Sequence, residues 1–134
     1  CGWRGLAAGV LAATVARFAC PGSELLAWLG PAISQRAFEV GAEVRAAFLA
    51  PCREESARGA VRAAFLPGHD GAPRYHADLY ALARVALAAL GVSRVYGGGF
   101  CIVGSPELFY SSRRDGLTGR MASLIWISHA PDAA

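Results

Sequence analysis

With 134 residues, 54% of them hydrophobic and 17% charged, the chain can bury one core and is too apolar to be disordered over most of its length. Its net charge of +3 is the balance of thirteen basic residues, all arginine, against ten acidic ones, scattered through an alanine-rich sequence. That pattern lacks the basic patch and motif of a nucleic-acid binder, and no apolar run reaches the ~18 residues of a membrane span.

In chain order, Cys1-Gly2-Trp3-Arg4-Gly5 runs straight into an apolar helical pattern, and the only methionine is Met121. This opening reads as the interior of a domain. Leu6, Val10, Leu11, Val15 and Phe18 predict a helix over about 5–19, ended by Cys20-Pro21-Gly22. Leu25 to Leu29, closed by Gly30-Pro31, predicts a buried strand. Phe38 to Leu49 reads as a helix with Phe38, Val44 and Phe48 inward. Residues 52–59 are the most polar stretch and read as a surface loop or short surface helix. Val61 to Leu66 is a possible strand, and residues 67–73 are turn chemistry throughout. A clear helix is expected from Asp78 to Leu90, with Gly91 just past its end. Val92 to Tyr96 follows as a strand that Gly97-Gly98-Gly99 breaks. Leu108 to Ser112 and Met121 to Ser128 are expected as strands joined by the Arg113-Arg114-Asp115-Gly116 turn. Interleaved strands and helices place the chain in the α/β or α+β class.

Cys1, Cys20, Cys52 and Cys101 are widely spaced, with no metal-ligand pair among them, and read as free cytosolic thiols. His69 and His76 flank a turn and His129 lies near the tail; no third ligand is suggested for a metal. Cys101 is a small apolar residue or a nucleophile. The three glycines at 97–99 do not match a dinucleotide fingerprint and read as close backbone packing. Two segments carry a sharper alternative. Arg113-Arg114-Asp115-Gly116 is a hairpin turn with solvated arginines, or an anion site in which a guanidinium fork holds phosphate or carboxylate, with Arg120 adding positive charge. Gly2-Trp3-Arg4-Gly5 is a tight turn, or a place where Arg4 and helix N-terminal amides face a site.

Five ordered blocks resemble the YfiH-like, laccase-domain family of purine nucleoside phosphorylases, formerly called multicopper polyphenol oxidases. They are Gly2-Trp3-Arg4-Gly5-Leu6-Ala7-Ala8-Gly9; Leu29-Gly30-Pro31-Ala32-Ile33-Ser34-Gln35; Phe38-Glu39-Val40-Gly41; Asp78-Leu79-Tyr80-Ala81-Leu82-Ala83-Arg84; and a final group of Cys101, Phe109, Arg113-Arg114-Asp115 and Thr118 to Ser123. Ser112 departs from the family's usual Tyr, and Ile102-Val103 from its Thr-Tyr. The resemblance implies a four-layer α/β/β/α sandwich with mixed sheets, of which residues 1–134 form the C-terminal part of a single domain. It implies a cytoplasmic enzyme that cleaves adenosine, inosine, guanosine or methylthioadenosine with phosphate and also deaminates adenosine. Zinc, with copper as the alternative, is the implied metal, but its three ligands would precede Cys1, so no metal or catalytic residue maps within the chain. Arg4, Arg113 and Arg114 are the candidates for phosphate. Other readings of the same blocks are a cysteine hydrolase or amidase acting on peptidoglycan precursors, a copper-loaded phenol oxidase, and a non-catalytic relative.

Overall fold

A computed structural model describes residues 2–68 and 73–127. Its elements run α1 (Trp3–Ala7), α2 (Val10–Val15), β1 (Leu26–Leu29), β2 (Glu39–Gly41), α3 (Ala42–Leu49), α4 (Glu55–Ala63), β3 (Phe65–Pro67), β4 (Arg74–Ala77), α5 (Leu79–Ala89), β5 (Arg94–Gly97) and the single turn α6 (Ser112–Asp115). β1 and β5 pair in parallel, from Leu26 beside Arg94 to Leu29 beside Gly97. β2, β4 and β3 form an antiparallel sheet with β4 in the middle. The fold is therefore mixed α/β.

α5 forms because both of its ends are written into the sequence. Asp78 caps the N-terminus: its Oδ1 accepts the Tyr80 and Ala81 N–H groups at 2.9 and 3.0 Å, an arrangement worth about 1 kcal/mol. At the other end Gly91 takes φ 76°, and the N–H groups of Gly91 and Val92 return to the carbonyls of Ala88 and Leu87. This is the Schellman closure, and its apolar pair, Leu87 with Val92, is buried. Leu82 and Ala83 carry the inner face of α5 into the core.

That core lies between the antiparallel sheet and helices α1, α3, α4 and α5. Ala77 in the central strand is fully buried. Phe65 meets Tyr75 edge-on at 6.2 Å and Phe48 at 6.1 Å, so truncating it to Ala would cost about 3–5 kcal/mol. The Gln35 amide donates to the carbonyls of Ala64 and His76 at 3.3 and 3.2 Å, tying the segment after β1 to this sheet.

Several elements differ from the sequence expectation. The helix over 5–19 is two short helices, because Gly9 takes φ 83° between them. The stretch from Phe38 begins as a strand: Val40 is buried while Glu39 and Gly41 pair with His76 and Arg74, and helix starts only at Ala42. Residues 55–63 are a helix. Val61 and Ala64 turn inward at helical spacing, and Glu55 pairs with Arg58 and Arg62 on the outside, so the strand expected from Val61 shrinks to Phe65–Pro67. β4 was not foreseen. β1 is where expected but half-exposed, with Leu26 at 47% and Trp28 at 38%. No strand forms over 108–112 or 121–127 among the described residues; residues 112–115 make one helical turn instead. Cys1, His69 and His129 lie outside the described residues.

Candidate functional site

The chemistry-bearing blocks converge where β1 and β5 end. Beyond Leu29 and Gly97 the two chains stay parallel, with Ala32 paired to Cys101. One extra residue is taken up on the Gly98–Phe100 side. Gly97 and Gly98 absorb it at φ 76° and 88°. A Cβ on Gly97 would stand 2.4 Å from the Leu29 oxygen, and one on Gly98 3.0 Å from the Tyr80 ring. Close backbone packing, expected for the whole glycine run, holds at Gly97; Gly98 is crowded by the Tyr80 and Arg84 side chains, and Gly99 has nothing within 4 Å.

Tyr80 stitches this junction. The N-cap at Asp78 fixes the first turn of α5, which sends the Tyr80 phenol across to the strand ends. There it accepts the Ala32 N–H at 2.8 Å and lies within donating distance of the Phe100 and Gly30 carbonyls, at 2.9 and 3.2 Å. Burial holds the phenol above the ordinary tyrosine range, outweighing the Ala32 N–H, which favours the phenolate. Tyr80 is thus a neutral hydroxyl at neutral pH. Its role escaped the sequence reading; the available signal was an aromatic hydroxyl two residues past a helix cap, set opposite a Gly-Pro strand end.

Cys101 sits beside the same junction. Its sulfur accepts the Ser34 N–H at 3.4 Å. Burial pushes the thiol up, but hydrogen bonds from the Ser34 side chain and from the backbone N–H groups of Ser34, Gly104 and Val103 outweigh it and bring the pKa down to about 7. Cys20, Cys52 and Cys101 are all free thiols.

A cleft of about 700 Å³ opens next to Tyr80, between Trp28 and Gly30 on one side and Phe109, Met121 and Ser123 on another. A cleft of this size, mostly apolar with a few polar groups, is the usual form of a small-molecule site.

The three arginine candidates have different surroundings. Arg4 is exposed on α1, its guanidinium 4.8 Å from the centre of the Trp3 ring. Arg113 is exposed on α6, 5.5 Å from the centre of the Phe38 ring. Neither makes a hydrogen bond or ion pair among the described residues, so both forks are open to solvent. Arg114 points inward. Its Nε and Nη2 donate to the two carboxylate oxygens of Asp115 at 2.6 Å each. Its Nη1 donates to the carbonyls of Ile102 and Val103, and Nη2 also to that of Phe109, at 2.8 to 3.2 Å. The pairing lowers the Asp115 carboxyl and raises Arg114. Asp115 also accepts the Ser111 N–H at 3.2 Å, which curls residues 112–115 into a turn of helix where a hairpin was expected. Among the described residues no hydrogen bond or ion pair joins Arg4 to the α6 pair.

Among the described residues no three His, Cys, Asp or Glu side chains come together in a way that could hold a metal ion. His76 belongs to the antiparallel sheet and Cys101 to the end of the parallel pair. The described residues therefore do not by themselves fit a zinc or copper centre.

A family model described as multi-copper polyphenol oxidoreductase laccase matches residues 1–128. A purine nucleoside phosphorylase of Pseudomonas aeruginosa is 56% identical over 126 residues, covering 94% of this chain and 49% of that protein. The purine nucleoside phosphorylase YfiH of Escherichia coli is 52% identical, covering 94% and 48%. Among solved structures, a Neisseria meningitidis protein superposes with a TM-score of 0.77 at 49% identity, covering 88% of this chain and 46% of the other. A Bacillus licheniformis YfiH superposes with a TM-score of 0.73 at 25% identity, covering 86% and 43%. The chain spans about half the length of the curated relatives it matches.

Proposed function

Because the chain belongs to the multi-copper polyphenol oxidoreductase laccase, or YfiH-like, family, we propose that a protein of its relatives' length bearing this sequence is a purine nucleoside phosphorylase. The observation that carries this reading is the 56% and 52% identity, over 94% of the chain, to proteins named for that activity. The proposed substrates are adenosine, inosine, guanosine and methylthioadenosine, together with phosphate. Deamination of adenosine and dependence on zinc belong to the same proposal. The described residues build no metal site, so the metal ligands would come from outside them.

In phosphorolysis a phosphate oxygen attacks the anomeric carbon of the ribose, the bond from that carbon to the purine nitrogen breaks, and the base leaves with the electron pair and takes up a proton. Two needs follow. The phosphate must be held with its charge balanced, and the nucleoside must be kept from water while oriented. Arg113 and Arg4 suit the first, since their donors are not spent among the described residues and a guanidinium fork binds phosphate in bidentate fashion. Arg114 could join them only by giving up bonds to its own backbone. The cleft beside Tyr80 suits the second: Trp28 and Phe109 offer apolar faces to a base, and the Ser123 hydroxyl offers a hydrogen bond.

The family model's description favours one other reading, a copper-loaded phenol oxidase. Metal content separates them in protein purified without added copper, because copper outcompetes zinc for most nitrogen and sulfur ligands. The primary test is release of free base from inosine or adenosine by the relatives'-length protein, with and without phosphate. Release only with phosphate supports the proposal; a folded, metal-loaded protein that releases none contradicts it.

A further inference from the structure

Arg114 closes the neck of a loop. Residues 102–109 leave the parallel junction at Cys101 and return to the cleft at Phe109. Three of the five N–H groups of its guanidinium reach the carbonyls of Ile102 and Val103 at the start and Phe109 at the end. The other two lock the fork onto Asp115. Within the loop, the Ser105 carbonyl accepts the Leu108 and Phe109 N–H groups at 3.2 and 3.0 Å, and Phe109 meets Phe100 edge-on at 5.6 Å. Every donor Arg114 possesses is spent. A side chain so placed gains nothing from phosphate unless it abandons carbonyls that would then lack those partners.

We propose that Arg114 is a positioning residue: with Asp115 it staples the loop 102–109 so that Leu108 and Phe109 form one wall of the cleft, leaving Arg113 as the guanidinium of the pair that is free for an anion. The role concerns the reaction proposed above and rests on that reading for its purpose, but its test requires no activity. The start of the stapled loop has a built-in reporter. The N–H groups of Val103 and Gly104, whose placement the staple fixes, help to bring the Cys101 thiol to about 7. If the staple is lost, those donors leave the sulfur and the thiol rises toward its ordinary ~8.5.

The experiment is the pH profile of iodoacetamide alkylation at Cys101, followed by peptide mass spectrometry on residues 1–134, with circular dichroism to verify folding. Arg114→Lys keeps the charge but cannot reproduce a five-donor planar fork. It is expected to move the Cys101 midpoint upward as far as Arg114→Ala does, while Arg113→Ala leaves it in place. If Arg114→Ala does not fold, Arg114→Lys and Asp115→Asn decide, the latter giving a smaller rise in the same direction. A folded Arg114→Lys with the wild-type midpoint would overturn the proposal, because charge alone would then account for Arg114. So would a rise in Arg113→Ala equal to that in Arg114→Lys. Loss of base release in the longer protein bears on the phosphorylase reading and not on these midpoints.

Discussion

The Tyr80 hydroxyl accepts the backbone N–H of Ala32 at 2.8 Å, joining the first turn of one helix to the end of a strand 48 residues earlier. This bond holds the mouth of the cleft, because the same oxygen lies within hydrogen-bond distance of the Gly30 and Phe100 carbonyls. Tyr80→Phe keeps the ring and removes every one of these partners. Leaving the Ala32 N–H unsatisfied costs about 1–3 kcal/mol. Urea unfolding should show a lower midpoint at unchanged slope; equal midpoints for the two proteins would mean the bond does not contribute.

Two nearby glycines should respond very unequally to the same substitution. Gly97 has φ 76°, and a Cβ there would meet the Leu29 oxygen at 2.4 Å, whereas Gly99 has nothing within 4 Å. Gly97→Ala is expected to destabilise by about 1–3 kcal/mol or to prevent folding, and Gly99→Ala to change stability by less than about 0.5 kcal/mol. Thermal unfolding of both variants checks this, and equal effects would contradict the register shift after β5.

Cys101 should make stability depend on pH. Its folded pKa of about 7 lies below the ordinary thiol value, so the unfolded chain binds more protons between ~7 and ~8.5 and stability rises across that window. The contribution is fully present above ~8.5 and is lost as pH falls through 7. Cys101→Ala should flatten this part of the curve in urea unfolding under reducing conditions. A wild-type curve that falls with pH there, or a variant curve with the same slope, would count against the hydrogen bonds assigned to the sulfur.

Leu124, Ile125, Trp126 and Ile127 are 59–82% exposed and pair with no strand among the described residues. Such a β-prone apolar run promotes association. Sedimentation velocity on residues 1–134 should therefore show concentration-dependent species, and the double variant Ile125→Lys, Ile127→Lys should sediment as a monomer. A wild-type chain that remains monomeric at all concentrations would show that this run does not drive association.

Legibility in the sequence followed local chemistry. α5 could be read from Asp78 and Gly91 because capping and the left-handed glycine act within a few residues. The close backbone approach read for the glycine run at 97–99 holds at Gly97 and not at Gly99. Glu39–Gly41 was misread as helix because one buried valine between two paired residues is too short to show a period, and its partner β4 begins only at Arg74, far along the chain. The start of α4 was among the alternatives read for the polar stretch 52–59, but its continuation to Ala63 was taken for strand, because only Val61 and Ala64 mark its inner face. At the site, composition showed two adjacent arginines and an aspartate but not their directions. That Arg114 turns inward depends on carbonyls at 102, 103 and 109, which no local pattern announces. Arg4, Arg113 and the glycine blocks could be marked from the family resemblance, whereas Tyr80 owes its role to a contact across 48 residues.

The most direct measurement is phosphate-dependent release of hypoxanthine from inosine by the relatives'-length protein, with ribose 1-phosphate quantified alongside. The expected result is equal amounts of both products with phosphate and neither without it. Arg113→Ala should lower the rate by about 10²–10³-fold, the typical effect of removing one charge-stabilising donor. A folded, metal-loaded protein that forms no ribose 1-phosphate would contradict the proposed function.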